Sequence, residues 1–285
     1  MWKQLFTEKG FVIPLIVFTS IIGVCFIGTL IYPDYTKSEY TEEGVIRVNE
    51  KPSAKFPLGT TRLGYNTVVR LCWGTISSLQ VGVVAGIIST IIATVIGSVG
   101  SYKGGILDET SVLITNVILV FPIYPLLLMM GAMLQPEDRN LVIVALVIAL
   151  TSWPWAARAT RGQILSLKER DFVNLARITG MNDFKLLFIE ILPNMLSYLI
   201  LVLVITMGGA IVAEAAISIL GLGPDPNAFV TLGSMLFEAT QWSYVDFHYW
   251  WLYMPPGIII TIFVLCLQLM HRKMDAIFNP RLREK

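Results

Sequence analysis

Few side chains in this chain of 285 residues could do covalent chemistry. The two histidines, His248 and His271, and the three cysteines, Cys25, Cys72 and Cys266, lie far apart, and no C-x-x-C or H-E-x-x-H pattern joins them. A histidine-rich metal site cannot be built from that inventory, so no metal ligands are expected. The cysteines read as small buried hydrophobes. A G-x-S-x-G nucleophile elbow is missing, and so is the G-x-x-x-x-G-K-[ST] loop that cradles a nucleoside triphosphate. One acid stands out. Glu214 lies well inside an apolar run, where an ionisable side chain is a functional candidate by default. It belongs either to a path or gate near the outer end of its helix, or to the packing as a hydrogen-bonded structural residue. Catalysis inside a membrane would need a second carboxylate or a Ser–Lys or Ser–His pair beside it. None is visible, so the chain is not expected to be an enzyme or to hold a cofactor.

The elements that must position these residues follow from composition. The chain is 55% hydrophobic and 14% charged, with mean hydropathy +0.68. Soluble domains carry roughly 25% charge. A formal net charge of +1 provides no basic field for nucleic acid. A helix needs about 20 mostly apolar residues to cross a bilayer. Six runs qualify: Phe11–Tyr32, Leu79–Gly100, Val112–Leu134, Leu141–Trp155, Met195–Leu222 and Trp251–Met270. The fourth is short, with Trp153 and Trp155 expected at its interfacial end. The first follows Lys3 and Lys9 as a signal sequence would. It is long for one, lacks a small-x-small exit and precedes five more runs, so it reads as a retained helix. The expected fold class is an all-α membrane protein with six transmembrane helices.

Orientation follows from basic residues. With the N-terminus inside, Lys37, Arg47, Lys51, Lys55, Arg62, Arg70 and Arg139 lie outside, and the remaining 14 of the 21 Lys and Arg lie inside. The positive-inside rule then places both termini in the cytoplasm of a multi-pass cell-membrane protein. A long polar segment, about Pro33 to Thr75, is external. Pro52, Pro57, Gly59 and Gly64 mark it as loop or short strand, and an amphipathic helix from Gly64 onward would lead into the second span. Residues 1–70 form the N-terminal helix and external segment, and 71–285 the core. Gly82 and Gly86 make a G-x-x-x-G suited to close helix packing. Pro122, Pro125, Pro154 and Pro255–Pro256 fall inside spans and can kink them.

The inner connection from Arg158 to Pro193 carries the most information. Arg170, Asn174 and Arg177 share one helical face, and Phe172, Leu175, Ala176 and Thr179 share a less polar one. Gly180 suits the left-handed position that ends a helix, and Asn182 suits the N-cap of a second helix, Asp183–Leu192. A helix, tight turn and helix at the inner face is either an interfacial amphipathic pair or a docking element for a cytoplasmic partner.

The same stretch, NLARITGMNDFKLLFIEILP (Asn174–Pro193), resembles the E-A-A-x-x-x-G…L-P signature of ABC importer permeases. Ala176, Gly180, Leu192 and Pro193 match in spacing, while Asn174 and Leu175 replace the motif's Glu and first Ala. Glu214–Leu236, EAAISILGLGPDPNAFVTLGSML, resembles a block of the dipeptide/oligopeptide/nickel permease family. Pro57–Arg70, PLGTTRLGYNTVVR, is similar to a block of that family's C-type subunit, with Thr61 and Tyr65–Asn66 in place of its polar residues. The tail NPRLR, Asn279–Arg283, resembles its D-P-R-L-R ending.

The resemblance implies the type I importer permease fold and half of a translocation pore for short peptides. A second homologous permease would supply the other half. Two cytoplasmic ATP-binding subunits would hold the ATP and Mg, and an extracellular or periplasmic solute-binding protein would deliver cargo. Coupling helices at about 164–193, with Asn174, Leu175, Ala176, Arg177, Gly180, Met181 and Asn182 at their centre, would meet the ATPases. Glu214, Ser218, Gly221 and Gly223 are the path or gate candidates. Two other readings compete: an ion-gradient-driven secondary transporter, which predicts repeats and paired ionisable residues at mid-membrane, and a non-transporting membrane interaction protein.

Overall fold

A computed structural model describes residues 2–226, 228–241 and 247–278. The tail expected to resemble D-P-R-L-R lies outside these residues. Ten helical elements organise the rest: α1 Lys9–Ile31, α2 Thr67–Lys103, α3 Gly105–Val120, α4 Ile123–Ala132, α5 Leu141–Lys168, α6 Asp171–Ile178, α7 (183–194), α8 Leu196–Ile219, α9 Leu232–Gln241 and α10 Trp250–Phe278. Five of them (α1, α2, α5, α8 and α10) are long and apolar enough to cross a membrane, and α3 with α4 makes a sixth, broken span. Among the described residues there is no strand, only three isolated bridges in the external segment. Lipid offers the backbone no hydrogen-bond partner, so apolar runs of this length satisfy themselves as helices.

The centre is α2 packed against α5 and α8. Small residues set the spacing. A Cβ on Gly82 would lie 2.6 Å from the Ile211 side chain, and one on Gly86 2.6 Å from that of Met207. The G-x-x-x-G pair therefore lets α2 and α8 approach closely. Val81, Ala85, Ile148, Ala210 and Ile217 fill the junction of α2, α5 and α8. On the other side α1 and α10 pack together, with Phe18 against Phe263 at 4.8 Å between ring centroids.

Three expected boundaries move. The helix expected from Gly64 onward starts at Thr67, where the Asn66 side chain accepts the Val68 N–H at 3.0 Å and caps it, and runs without a break through the apolar run that begins at Leu79. The domain boundary expected at residue 70 thus falls inside α2. The fourth span does not end at the tryptophans but runs to Lys168. Trp153 is buried and Trp155 exposed, and Ala156, Ala157, Thr160 and Ile164 keep the helix covered beyond them. The third span is broken. Phe121 is extended (φ −75°, ψ 132°), as the residue before a proline prefers, and α3 meets α4 at 85°.

Contacts sort the helix ends into two sets. Gly10 at the start of α1 lies against Lys273 near the end of α10. Tyr102 at the end of α2 meets both Lys168 at the end of α5 and Asp183 of α7. At the opposite end the external segment packs on the loop before α9 and on α10, through Tyr35 Oη to the Ala228 carbonyl (2.7 Å) and Gly59 beside Trp251.

Candidate functional site

The inner helix pair is built by local capping. At the end of α6 the Gly180 N–H reaches the Arg177 carbonyl (3.1 Å) and the Met181 N–H reaches the Ala176 carbonyl (3.3 Å), with Gly180 at φ +81°. That double bond is the Schellman arrangement, and it requires the left-handed backbone that glycine adopts freely. Two residues on, Asn182 Oδ1 accepts the Lys185 N–H at 2.8 Å and starts α7. The middle of α7, Leu186–Ile191, is wound as a π-helix instead of the regular helix expected, and Pro193, with no N–H, lies just beyond it.

The pair has two unlike sides. Val173, Leu186 and Ile191 are fully buried in a cluster with Tyr102 and Ile164, and Phe172, Ala176 and Met181 pack against it. Asn174, Leu175, Arg177, Gly180 and Asn182 are exposed. So are large apolar side chains: Leu175 at 65%, Ile178 at 83% and Phe184 at 70%. Residues 164–168, expected within the pair, belong to α5. The pair is tied to the bundle by polar links. Tyr102 Oη donates to Asp183 (3.0 Å), and Lys168 Nζ donates to the Tyr102 carbonyl (2.8 Å). A displacement of the pair therefore reaches the ends of α2 and α5 directly. Losing the Asn182 cap should cost about 1 kcal/mol. Asn182→Ala is expected to leave the protein folded while raising hydrogen exchange in the first turn of α7, whereas Asn182→Ser should keep it protected.

At the other end Glu214 is completely buried. Its carboxylate accepts three hydroxyl hydrogen bonds: Ser218 and Thr231 at 2.7 Å on Oε1, and Ser78 at 2.9 Å on Oε2. Two of these hydroxyls, with that of Ser234, cap α9. Ser78 Oγ accepts the Leu232 N–H (3.0 Å), Thr231 Oγ1 accepts the Ser234 N–H (2.9 Å), and Ser234 Oγ accepts the Thr231 N–H (2.8 Å). The acid thus sits at the N-terminus of α9, where a negative charge is favoured, and joins α2, α8 and α9. Gly233 fits beside it because a Cβ would lie 2.8 Å from the Ala215 backbone. Ser218 is part of this network. Gly221 (φ +77°) ends α8 in a second Schellman arrangement, and Gly223 packs on Ser218. All four path or gate candidates therefore meet at the end of α8, in contacts within the chain.

Sequence reasoning missed three side chains here. Arg139, nearly buried, donates to the Gly221 carbonyl (2.9 Å) and the Leu134 carbonyl (2.9 Å), tying the end of α4 to the end of α8. Arg70 of α2, also buried, forms a two-pronged ion pair with Glu238 of α9. Gly221 and Glu238 lie 82 and 168 residues from their arginines, so spacing carried no signal of these links.

A capped helix pair at one end of the bundle, a broken third span and a helix anchored on Glu214 at the other end occur together in this chain. Residues 82–284 match the family described as "Binding-protein-dependent transport system inner membrane component". The chain belongs to this family. It is therefore a multi-pass inner-membrane permease subunit with the ABC type I importer permease fold. The matched range includes the 171–194 pair and, of the Glu214 network, Glu214, Ser218, Thr231 and Ser234, with Ser78 just before it. Similar proteins agree. A dipeptide transport system permease protein, DppC, of Alkalihalophilus pseudofirmus is 30% identical over 99% of this permease and 89% of its own length. DppC of Haemophilus influenzae is 30% identical over 80% of this permease and 75% of its own length. An oligopeptide transport system permease protein, OppC, of Mycobacterium tuberculosis is 28% identical over 86% and 82% respectively.

Proposed function

We propose that this permease forms half of the pore of an ATP-driven importer of short peptides. A second homologous permease forms the other half, and two ATP-binding subunits carry ATP and Mg. A solute-binding protein brings cargo to the end that carries the external segment, and the end that carries α6, α7 and most of the basic residues faces the cytoplasm. Peptide is the cargo named for the similar permeases.

One observation carries the coupling role. The α6–α7 pair buries one face in the bundle and leaves Leu175, Ile178 and Phe184 exposed on the other, beside exposed Asn174 and Arg177. An apolar patch with a polar rim on a capped helix pair suits docking on another protein. Gly180, Met181 and Asn182 hold the pair's turn and need not touch the partner. Asn174, where the family motif has Glu, offers a neutral side chain, so no ion pair is assigned to it. ATP can drive the pore only by stabilising one arrangement of the two ATPases over another. The pair passes that preference to α2 and α5 through Tyr102, Asp183 and Lys168. Glu214, Ser218, Gly221 and Gly223 fit an anchor for the outer helix α9, against which a gate would move, better than a surface along the path.

The test is uptake by proteoliposomes holding the co-expressed transporter, with labelled dipeptide and binding protein outside. ATP-dependent accumulation supports the reading. Accumulation driven by an ion gradient without ATP would return the chain to the secondary-transporter class.

A further inference from the structure

Two of the three cysteines, far apart in the sequence, meet in the fold. Cys25 lies about two turns before the end of α1, and Cys72 lies in the second turn of α2. Both are buried, and both are thiols in this structure. Their side chains are in hydrogen-bond contact. The Thr75 hydroxyl, one turn along α2, also contacts the Cys25 thiol, and it donates its own hydrogen to the Leu71 carbonyl at 2.7 Å. The Cys25 thiol is therefore held between Cys72 and a hydroxyl whose lone pairs can accept its hydrogen.

A glycine brings the helices this close. Gly28 stands one turn from Cys25 on α1, and a Cβ built on it would lie 2.7 Å from Cys72 Sγ and 3.2 Å from Cys72 Cβ. The Cβ atoms of a disulfide are ~3.5–4.5 Å apart, so at this level the backbones of α1 and α2 already stand at bridging distance. The pair is also near one surface of the membrane. Trp73, next to Cys72, donates its indole N–H to the Tyr32 carbonyl just past α1 (2.9 Å) and packs on the Tyr35 ring at 5.2 Å between centroids. Trp and Tyr collect at the membrane–water interface. By the orientation proposed above, that interface faces away from the cytoplasm, toward the side on which disulfides form and persist.

We infer that Cys25 and Cys72 are oxidised to a disulfide in the assembled permease, a staple between α1 and α2 beneath the external segment. A single buried thiol only fills space, which describes Cys266 in its cluster between α1 and α10. Two thiols in contact can also react. The oxidant is an external disulfide, that of an oxidoreductase or of a small molecule. One cysteine loses its proton, and its thiolate attacks the oxidant, forming a mixed disulfide and releasing one of the oxidant's sulfurs as a thiol. The second cysteine, deprotonated in turn, attacks the sulfur of the first and displaces the other as a second thiol. Two electrons and two protons pass to the oxidant. Both cysteines are enclosed once α1 packs on α2, so the exchange takes place while these helices assemble. The bridge closes a loop that contains the whole external segment, which restricts the unfolded chain and fixes the base of the segment that packs on α10.

The experiment is thiol counting on the assembled transporter in its native membranes. Free thiols are blocked with N-ethylmaleimide in denaturant, the chain is reduced, and the thiols released are tagged with a polyethylene-glycol maleimide. Two tags per chain are expected, with Cys266 blocked and a peptide pair linking Cys25 to Cys72 identified by mass before reduction. Cys25→Ser and Cys72→Ser should each leave the remaining partner free to be blocked. In detergent the bridged chain should melt about 5 °C above the same chain reduced, and both serine variants should melt with the reduced chain. Three blocked thiols in the parent chain would overturn the bridge, as would Cys25 and Cys72 each joined to some other thiol. Equal melting of the bridged and reduced chains would overturn its role as a staple. None of these readouts needs cargo or ATP, so the importer reading stands or falls separately.

Discussion

Gly180→Val is expected to abolish most ATP-driven uptake while leaving the bundle folded. Gly180 holds φ +81°, and nothing lies within 4 Å of a Cβ built on it. The cost of a side chain is therefore conformational, not a clash. An L-residue in this region costs about 1–2 kcal/mol, and a β-branched one is a genuine outlier there. The turn can escape that cost only by giving up the two hydrogen bonds at Arg177 and Ala176, which reorients α7 against α6 and moves the exposed Leu175–Ile178–Phe184 surface. A misfit of about 1.4 kcal/mol in that docking step lowers uptake about tenfold. Asn tolerates the left-handed region, so Gly180→Asn should retain most activity. Transport assays on the two variants, with melting curves to check folding, make the comparison. Full uptake by Gly180→Val would remove the coupling role from this turn.

Glu214→Ala should have the larger effect on stability. It removes the acceptor for three buried hydroxyls and leaves a void at the junction of α2, α8 and α9. Unsatisfied buried groups cost about 1–3 kcal/mol each in water-soluble proteins, and hydrogen bonds inside membranes average nearer ~0.6 kcal/mol. A loss of about 2–5 kcal/mol, cavity included, is expected. Glu214→Gln keeps an acceptor for Ser218 and Thr231 and turns an amide toward Ser78, so its loss should be smaller. The measurement is thermal unfolding in detergent together with the amount of chain inserted in the membrane. A normal melting curve for Glu214→Ala with altered uptake would mean that the acid acts in the path and not as the anchor of α9.

These two sites were legible to different degrees. The Gly180–Asn182 turn could be read from sequence because a Schellman end and an N-cap are made by residues within five positions of each other. Glu214 could be singled out, but its role could not be read. Ser78 lies 136 residues away, and only the packing of α2 on α8 brings it there. The helical faces of α6 were readable, but which of them the bundle covers was not. Spacing grouped Leu175 with Phe172 and Ala176, yet Val173 is the residue that the bundle buries completely and Leu175 is exposed. That choice depends on where α2 and α5 end. The fourth span ran past its expected end because hydropathy falls at Arg158 while the helix still packs on α2. Pro122 signalled a kink, but the 85° angle between α3 and α4 could not be read from it.

The most direct test of the central claim, that this chain is half of an ATP-driven pore, is its purification from native membrane in a mild detergent, with every co-purifying chain identified by sequence. The proposed function predicts a second permease of the same family together with a P-loop ATPase, and loss of the ATPase alone in Gly180→Val. Recovery of the chain by itself or as a homodimer, under conditions that keep other membrane complexes intact, would contradict it.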